Sequence, residues 1–300
     1  MKKKRKYAVV IDGNNYLWRS HYAVPELTNA DGFPTNAIKG FANILVADYW
    51  KFKPRHLAVV FDARCGAASN KALLQDYKGN RNKDDDPEKK RIRDLCYSQL
   101  EPLKRILKSL GIRVLAKRGV EADDVVATLA TMYSEEGFHA LMGTTDKDLS
   151  QIISPSISKI ESNTRRILGV KETIEKFGVG PELVVDWLML TGDGVDNVPG
   201  VKGIGPGIAK TLLLKYGSVK NILRNIDDLT PAKRDGILKA RRLFKITRQV
   251  LTLDTQIPIN TTLDHTDMRY RTPDEPRFYA LCEELGLKQT AKELGGAFLR

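Results

Sequence analysis

Nine acidic residues fall in five places along the chain: Asp12; Asp62; Glu121, Asp123 and Asp124; Asp146 and Asp148; Asp193 and Asp196. Asp12 ends a continuous apolar run at residues 7–11, and Asp62 ends another at 57–61. Glu121-Ala122-Asp123-Asp124 opens a helical segment, Asp146-Lys147-Asp148 follows a short apolar stretch at 140–142, and Asp193-Gly194-Val195-Asp196 lies in a glycine-rich loop. Each alone has an ordinary explanation, because Asp caps helices and turns and acids in a first helical turn are favoured by the helix dipole. If the nine converge, they raise one another's pKa and oppose folding unless a cation compensates. Magnesium takes oxygen ligands, keeps several waters and binds one or two carboxylates directly, so nine acids exceed one ion and fit two, some of them acting through water. Two divalent ions about 4 Å apart suit phosphodiester hydrolysis, one lowering the pKa of a water and the other stabilising the leaving oxygen. No nucleophile constellation competes: His21, His56, His139 and His265 are scattered, and Cys65, Cys96 and Cys282 are far apart with no C-x-x-C pair. That cysteine usage suggests neither a zinc site nor a disulfide framework and fits a reducing cytoplasm.

The elements that must position these acids follow from the apolar pattern. Runs at 7–11, 57–61, 112–116 and 140–142 read as strands. Helices are expected over 35–50 with Thr35 as N-cap, from Asp86-Pro87-Glu88 onward through Ile92, Leu95, Leu100, Leu103, Ile106, Leu107 and Leu110, over 121–135, and from about Lys147. Strands alternating with helices predict an α/β fold with a central, mainly parallel sheet covered on both faces, where ligands gather at the carboxyl edge. Beyond residue 170 helices follow one another, over 171–177, 181–190, 206–216, 218–224, 231–250 and 275–286. The expected organisation is an α/β core at 1–190 and a helical region at 191–300. The polar patch Asn82-Lys83-Asp84-Asp85-Asp86 reads as a loop.

Lys and Arg number 49 against 37 Asp and Glu, a formal net charge of +12. Such an excess points to a polyanion partner, or else to a basic protein without one. The 42% of hydrophobic residues suffice for a sizeable core. No apolar run approaches the length of a transmembrane helix, and the basic start at residues 1–6 reads as a tail. Tyr77, Lys78 and Arg81 form a compact group in which the two cations, three apart, would share a helix face. They suit charge neutralisation at phosphorus and stacking on an unpaired base, or simply a wet surface with a half-buried ring.

These clusters, in this order, resemble the 5′-nuclease domain of bacterial DNA polymerase I and the free-standing phage 5′-nucleases of the flap endonuclease family. The matching segments are Val10-Ile11-Asp12-Gly13-Asn14, Phe61-Asp62, Tyr77-Lys78-Gly79-Asn80-Arg81, Gly119-Val120-Glu121-Ala122-Asp123-Asp124, Thr145-Asp146-Lys147-Asp148-Leu149, and the long Leu190-Thr191-Gly192-Asp193-Gly194-Val195-Asp196-Asn197-Val198-Pro199-Gly200-Val201-Lys202-Gly203-Ile204-Gly205. The resemblance extends over residues 7–290. It implies a PIN-like nuclease fold with a helical arch at 82–110, positively charged through Lys89, Lys90, Arg91 and Arg93, under which a single strand with a free 5′ end passes. It implies a first metal held by Asp12, Asp62, Glu121, Asp123 and Asp124, and a second held by Asp146, Asp148, Asp193 and Asp196. Lys78 and Arg81 become electrostatic catalysts, and Tyr77 a DNA contact.

Residues 200–210 look like the hairpin of a helix-hairpin-helix element, with Lys202, Gly203, Gly205, Gly207 and Lys210 placed to hold a phosphate. A dinucleotide loop would need a preceding strand, whereas the flanks here read as helical. The resemblance adds a potassium ion at the hairpin and two or more magnesium ions at the acids, with manganese as a substitute. The implied activity is 5′-3′ exonuclease and flap endonuclease action on DNA in replication, repair or recombination, leaving a 5′-phosphate and a 3′-hydroxyl. Implied partners are DNA with 5′ ends or flaps and RNA primers in duplex, met by a free-standing, cytoplasmic monomer in a bacterium or a phage-infected cell. Two departures bear on substrate grip: Leu188 replaces a basic residue of relatives, and Gly207 and Ile208 stand where phage relatives carry adjacent basic residues, with Lys202 and Lys210 as substitutes. Three other readings stay open: a smaller metal-dependent ribonuclease of related sheet topology, a non-catalytic binder of branched DNA, and a detached domain of a polymerase, which changes the context but not the chemistry.

Overall fold

The computed structural model describes residues 5–63, 65–79, 86–259 and 272–299. Strands β1 (Tyr7–Asp12) and β2 (His56–Val60) are buried along almost their whole length, as continuous apolar runs require in a sheet covered on both faces. With β3 (Arg113–Leu115), β4 (His139–Gly143), β5 (Ile157–Ile160) and β6 (Ile167–Leu168) they form one sheet of order β3-β2-β1-β4-β5-β6. The first five strands run parallel and β6 is an antiparallel edge. Ile11 faces Val59 on one side and Gly143 on the other, so the carboxyl ends of β1, β2 and β4 come out side by side.

The helices of the first part are α1 (Gly13–Ala23), α2 (Asn36–Phe52), α3 (Ala68–Leu73), α4 (Pro87–Ser98), α5 (Leu100–Ser109) and α6 (Ala122–Glu135). The second part adds α7 (Val170–Phe177), α8 (Val184–Thr191), α9 (Pro206–Tyr216), α10 (Val219–Arg224), α11 (Pro231–Ala240), α12 (Phe244–Leu251), α13 (Glu275–Glu284) and α14 (Lys288–Phe298). Alternate residues of the central strands serve opposite faces. Val9, Ile11, Leu57 and Val59 pack with α1, α2 and α5, together with Phe278, Leu281 and Leu294 of the last two helices. Ala8, Val10, Ala58 and Val60 pack against α6. A third core of Phe177, Leu188, Leu190, Val201, Leu213 and Phe244 holds the helical region together. A boundary at 190 therefore falls inside α8, and residues 275–298 return to the first core rather than continuing the second. None of the helices in the described residues is long and apolar enough to cross a membrane.

Several elements depart from the pattern expected from sequence. No helix is expected directly after β1, yet Gly13-Asn14-Asn15 opens α1, where the Asp12 carboxylate accepts the Asn15 N–H at 3.0 Å and caps it. Thr35 precedes α2 without capping it. The buried Gln99 side chain instead accepts the N–H groups of Ala37 and Ile38 at 2.8 and 3.2 Å, and this same Gln99 divides the expected 86–110 helix into α4 and α5. The helix expected from Lys147 is a single 3-10 turn, Asp148–Ile152, and the 231–250 helix breaks between α11 and α12. Strands β5 and β6 and helix α14 are additions.

Phe278 is fully buried and ties α13 to the sheet face that carries α1 and α2. We predict that Phe278→Ala lowers unfolding free energy by about 3–5 kcal/mol in chemical denaturation; an unchanged midpoint would mean that the C-terminal helices do not complete this core.

Candidate metal centre and nucleic-acid interface

The acids leave the sheet at its carboxyl edge. Asp12 ends β1 and, besides capping α1, accepts the Thr144 hydroxyl at 3.1 Å. Asp62 follows β2; its carboxylate accepts the Ala122 N–H at 3.0 Å and its own N–H donates to Asn14 Oδ1 at 3.0 Å. Glu121 occupies the N-cap position of α6, with Asp123 and Asp124 in its first turn. Capping and clustering thus coincide: helix N-termini that need acceptors are aimed at the same edge. Beyond β4, Asp146 donates its N–H to Thr144 Oγ1 at 3.1 Å and accepts the Asp148 N–H at 2.8 Å.

Asp193 and Asp196 come from the loop after α8. Asp193 and Val198 exchange two main-chain hydrogen bonds of 2.8 Å, and the Val195 N–H donates to Asp193 Oδ1 at 2.9 Å. Gly200 is required here, since a Cβ would lie 2.4 Å from the Thr191 carbonyl carbon. Carboxylate oxygens of Asp148, Asp193 and Asp196 all lie within 4.8 Å of one another. Asp12, Asp62, Asp123 and Asp146 line one cavity of about 580 Å³, and Glu121, Asp123, Asp124 and Asp148 line an adjoining pocket of about 210 Å³. Asp123 and Asp148 link these sets into one acidic region.

The electrostatics carry the mark of burial first and of that crowding second. Burial, then the nearby Asp146 and Asp62, pushes Asp12 up to about 7. Burial and the charges of Asp146, Asp193 and Asp196 push Asp148 up to about 8, and burial pushes Asp124 up to about 6. Asp123 is raised well above the ordinary range by burial and by Asp146 and Asp12. Three lysines offset the repulsion. Lys78 Nζ lies 2.5 Å from Glu121 Oε1 and 3.8 Å from Asp196 Oδ2. Burial works against its ammonium, but Glu121 and Asp196 outweigh that and raise its pKa. Lys147 Nζ pairs with Asp193 Oδ1 at 2.7 Å. Lys159 Nζ donates to the Asp146 carbonyl at 2.8 Å; burial and then Lys176 lower its pKa to about 8 against the opposing pull of Asp146 and Asp148.

Two expectations about the Tyr77 group change. Lys78 sits in a turn with φ of 54° rather than on a helix, and Arg81 lies outside the described residues together with 82–85 of the arch. The Tyr77 ring is 4% exposed, and its hydroxyl donates to Glu121 Oε2 at 3.0 Å and to Asp196 Oδ2 at 3.3 Å. A ring buried in this way is not a surface for stacking on a base; it braces two acids from different parts of the chain.

The open aromatic surface lies elsewhere and went unread in the sequence. Trp18 and Tyr22 of α1 and Tyr97 of α4 line the larger cavity with Arg19, Lys89 and Arg93. The Trp18 ring stacks with Tyr22 at 6.2 Å and meets Tyr97 edge-on at 5.5 Å, and Tyr22 is 69% exposed. Their i, i+4 spacing was a signal only if residues 13–23 are helical. Arg91 turns away from the cavity to Glu26 and Glu88, at 2.9 and 2.8 Å, and Lys90 is exposed. Asp254 was also missed; its N–H donates to Asp124 Oδ1 at 2.9 Å.

The glycine hairpin runs from the acid loop into α9. Val201 and Ile204 are buried and anchor it, while Lys202 and Lys210 are exposed. Gly203 has φ of +83°, and nothing lies within 4 Å of where a Cβ would stand at Gly203, Gly205 or Gly207. The backbone therefore faces open space beside a helix N-terminus, a setting suited to an anion. Leu188 is fully buried in the helical core.

Comparison with known proteins agrees with this geometry. Residues 7–178 match the family described as 5′-3′ exonuclease, N-terminal resolvase-like domain, and residues 179–276 match 5′-3′ exonuclease, C-terminal SAM fold. The chain is 37% identical to a 5′-3′ exonuclease of Aquifex aeolicus over 297 residues, covering 98% of this chain and 96% of that protein. It is 31% identical to DNA polymerase I of Caldicellulosiruptor bescii over 293 residues, covering 96% of this chain but 33% of the polymerase. Its fold is similar to that of a flap endonuclease of bacteriophage T5 in complex with DNA and metal ions, with a TM-score of 0.69, 20% identity and coverage of 98% and 100% of the two chains. On two family domains that together span residues 7–276 and a full-length relative at 37% identity, the chain belongs to the 5′-3′ exonuclease family.

Proposed function

We propose that this chain is a magnesium-dependent, structure-specific 5′-nuclease that hydrolyses DNA phosphodiesters at 5′ ends and flaps. The observation that carries the reading is the gathering of nine carboxylates at the carboxyl edge of a parallel sheet, beneath a cavity walled by cations and aromatic rings. The T5 flap endonuclease of similar fold is a complex with DNA and metal ions, which supports the same assignment.

The donor set fits hard divalent cations. All nine groups are carboxylates, and Asp148 Oδ1 is buried with no hydrogen-bond partner among the described residues. Asp12, Asp62, Glu121, Asp123 and Asp124 would hold one ion, and Asp146, Asp148, Asp193 and Asp196 a second, several of them through water. Magnesium is the ion of choice for such all-oxygen, partly hydrated sites, with manganese as a substitute. The chemistry supplied by the ions, when bound, is acidification of a water for attack on phosphorus and neutralisation of the leaving oxygen.

The protein's own groups do the rest. Lys78, fixed between Glu121 and Asp196 and facing the cavity, offers positive charge to the phosphate oxygens as charge grows there, and Arg81 is proposed to share this role. Lys89 and Arg93 hold the phosphates of a strand entering under α4, and the Trp18, Tyr22 and Tyr97 rings offer an unpaired base a face. The open amides at Gly203, Gly205 and Gly207, with Lys202 and Lys210, grip a duplex phosphate, and a potassium ion at the hairpin carbonyls would strengthen that grip. Such contacts read backbone rather than base sequence, so an RNA primer in duplex is a further proposed substrate. We propose action as a cytoplasmic monomer.

Asp146→Asn or Asp193→Asn should abolish magnesium-dependent cutting of a labelled flap duplex while leaving DNA binding within about threefold; ordinary turnover in either variant removes that acid from the mechanism. For Lys78→Ala the expectation is a single-turnover rate lowered about 10²-fold or more with little change in affinity. An unchanged rate with weaker binding would make Lys78 a grip rather than a catalyst.

The raised carboxyls set a pH dependence. Asp12, Asp124 and Asp148 titrate near 7, 6 and 8 in the metal-free fold, against about 4 in an unfolded chain. The folded state then holds protons that the unfolded chain has released, so their contribution falls as pH rises from about 4 to about 8. Melting temperature in EDTA should drop between about pH 5 and pH 8, and magnesium should flatten the drop. A flat profile in EDTA would mean that burial and the neighbouring acids do not hold protons on these groups.

A further inference from the structure

The buried strand β5 reads Ile157-Ser158-Lys159-Ile160, and Lys159 is 5% exposed. An ammonium is costly to bury unless its donors are satisfied. Lys159 Nζ donates to the main-chain carbonyl of Asp146 and to the hydroxyl of Ser150, both at 2.8 Å. These bonds go to a carbonyl and a hydroxyl rather than to a carboxylate. Asp146 lies on the turn after β4 and Ser150 inside the Asp148–Ile152 3-10 helix that follows, one at each end of the stretch that carries the Asp146 and Asp148 carboxylates. Within the turn, Asp146 also accepts the Asp148 N–H and donates to Thr144. Gln151 ties the Asp148 carbonyl to that of Leu251, at 3.0 and 2.9 Å. Lys159 comes from the neighbouring strand, where it stands in register with Met142 of β4, so it connects the turn to the sheet.

We propose that Lys159 is a positioning residue for metal binding. It pins both ends of the acid-bearing turn to β5 and thereby sets the separation and direction of the Asp146 and Asp148 carboxylates, while touching neither metal nor DNA itself. Ser150 is its partner in this task. The inference rests on the proposed reading that these acids bind divalent metal. It goes beyond that reading by assigning the precision of the site to a buried cation on a strand with no ligand of its own.

The test compares the full wild-type chain with Lys159→Met, Ser150→Ala and the double variant. Free Mn2+ is titrated by electron paramagnetic resonance without DNA, and half-saturating Mg2+ is measured for single-turnover cutting of a flap duplex. DNA affinity in EDTA serves as the control for an intact fold. Lys159→Met should weaken Mn2+ binding about tenfold or more and raise half-saturating Mg2+ in parallel, with affinity for DNA in EDTA within about threefold of wild type. Ser150→Ala should weaken Mn2+ binding about two- to tenfold and add nothing in the Lys159→Met background, because the two act through one bond. Wild-type Mn2+ affinity in Lys159→Met, multiplicative effects in the double variant, or a parallel loss of DNA affinity in EDTA would each overturn the proposal. Should Lys159→Met fail to fold, Ser150→Ala decides alone: weaker Mn2+ binding supports the anchor and unchanged binding overturns it. A wild-type chain that neither binds Mn2+ nor cuts with metal would instead overturn the metal reading, and the anchor with it.

Discussion

Carboxylates repel, and this chain brings nine of them to one edge of one sheet. Much of the surrounding structure reads as management of that repulsion. The first turns of α1 and α6 point an amide each at Asp12 and Asp62, from Asn15 and Ala122. Lys78, Lys147 and Lys159 insert positive charge from three different segments. Burial nevertheless leaves Asp12 and Asp148 raised to about 7 and 8, so the metal-free fold stays electrostatically tense. Divalent cations would relieve that tension, which ties the fold's stability to the same ions that its chemistry requires.

A tense edge needs a stiff support. The central strands supply it by being buried on both faces, with odd and even residues of β1 locked into different cores. The first core is closed by α13 and α14, which travel back across the molecule to lie against α2 and α5. The helical region contributes a separate core, yet its Asp193–Asp196 loop reaches the sheet edge and completes the acid set. The site therefore depends on the register between two packed units as much as on either one.

Much of this was legible in the residues. The apolar runs ending in Asp12 and Asp62 located two strands and the edge they share, and the glycine-rich loop after Leu190 located the second group of acids. What escaped was contact information. Gly13-Asn14-Asn15 carries residues that favour turns, and the Asp12 cap together with the burial of Tyr16 and Leu17 makes it the start of a helix, so the Trp18 and Tyr22 face stayed hidden. Tyr77 was visible as an aromatic beside two cations, but its burial against Glu121 and Asp196 is a tertiary fact with no local signature. No strand is expected over Ile157-Ser158-Lys159-Ile160, and the inward course of its lysine follows from acceptors that lie 9 and 13 residues away.

The loop between α8 and α9 has a geometric consequence. It carries Asp193 and Asp196 at one end and the open hairpin of Gly203 at the other, and it is stiffened between them by the Asp193–Val198 bridge, the Gly200 contact with Thr191 and the Val201 N–H donated to the Leu190 carbonyl. The Lys78 N–H donated to the Asp196 carbonyl and the Asn197 amide on the Asp76 carbonyl fasten the same loop to the turn bearing the cationic group. On the proposed reading, the place where a duplex is gripped and the place where it is cut are two points on one short rigid caliper. The position of the cut relative to the duplex is then a length measured by covalent structure, indifferent to the letters of the DNA.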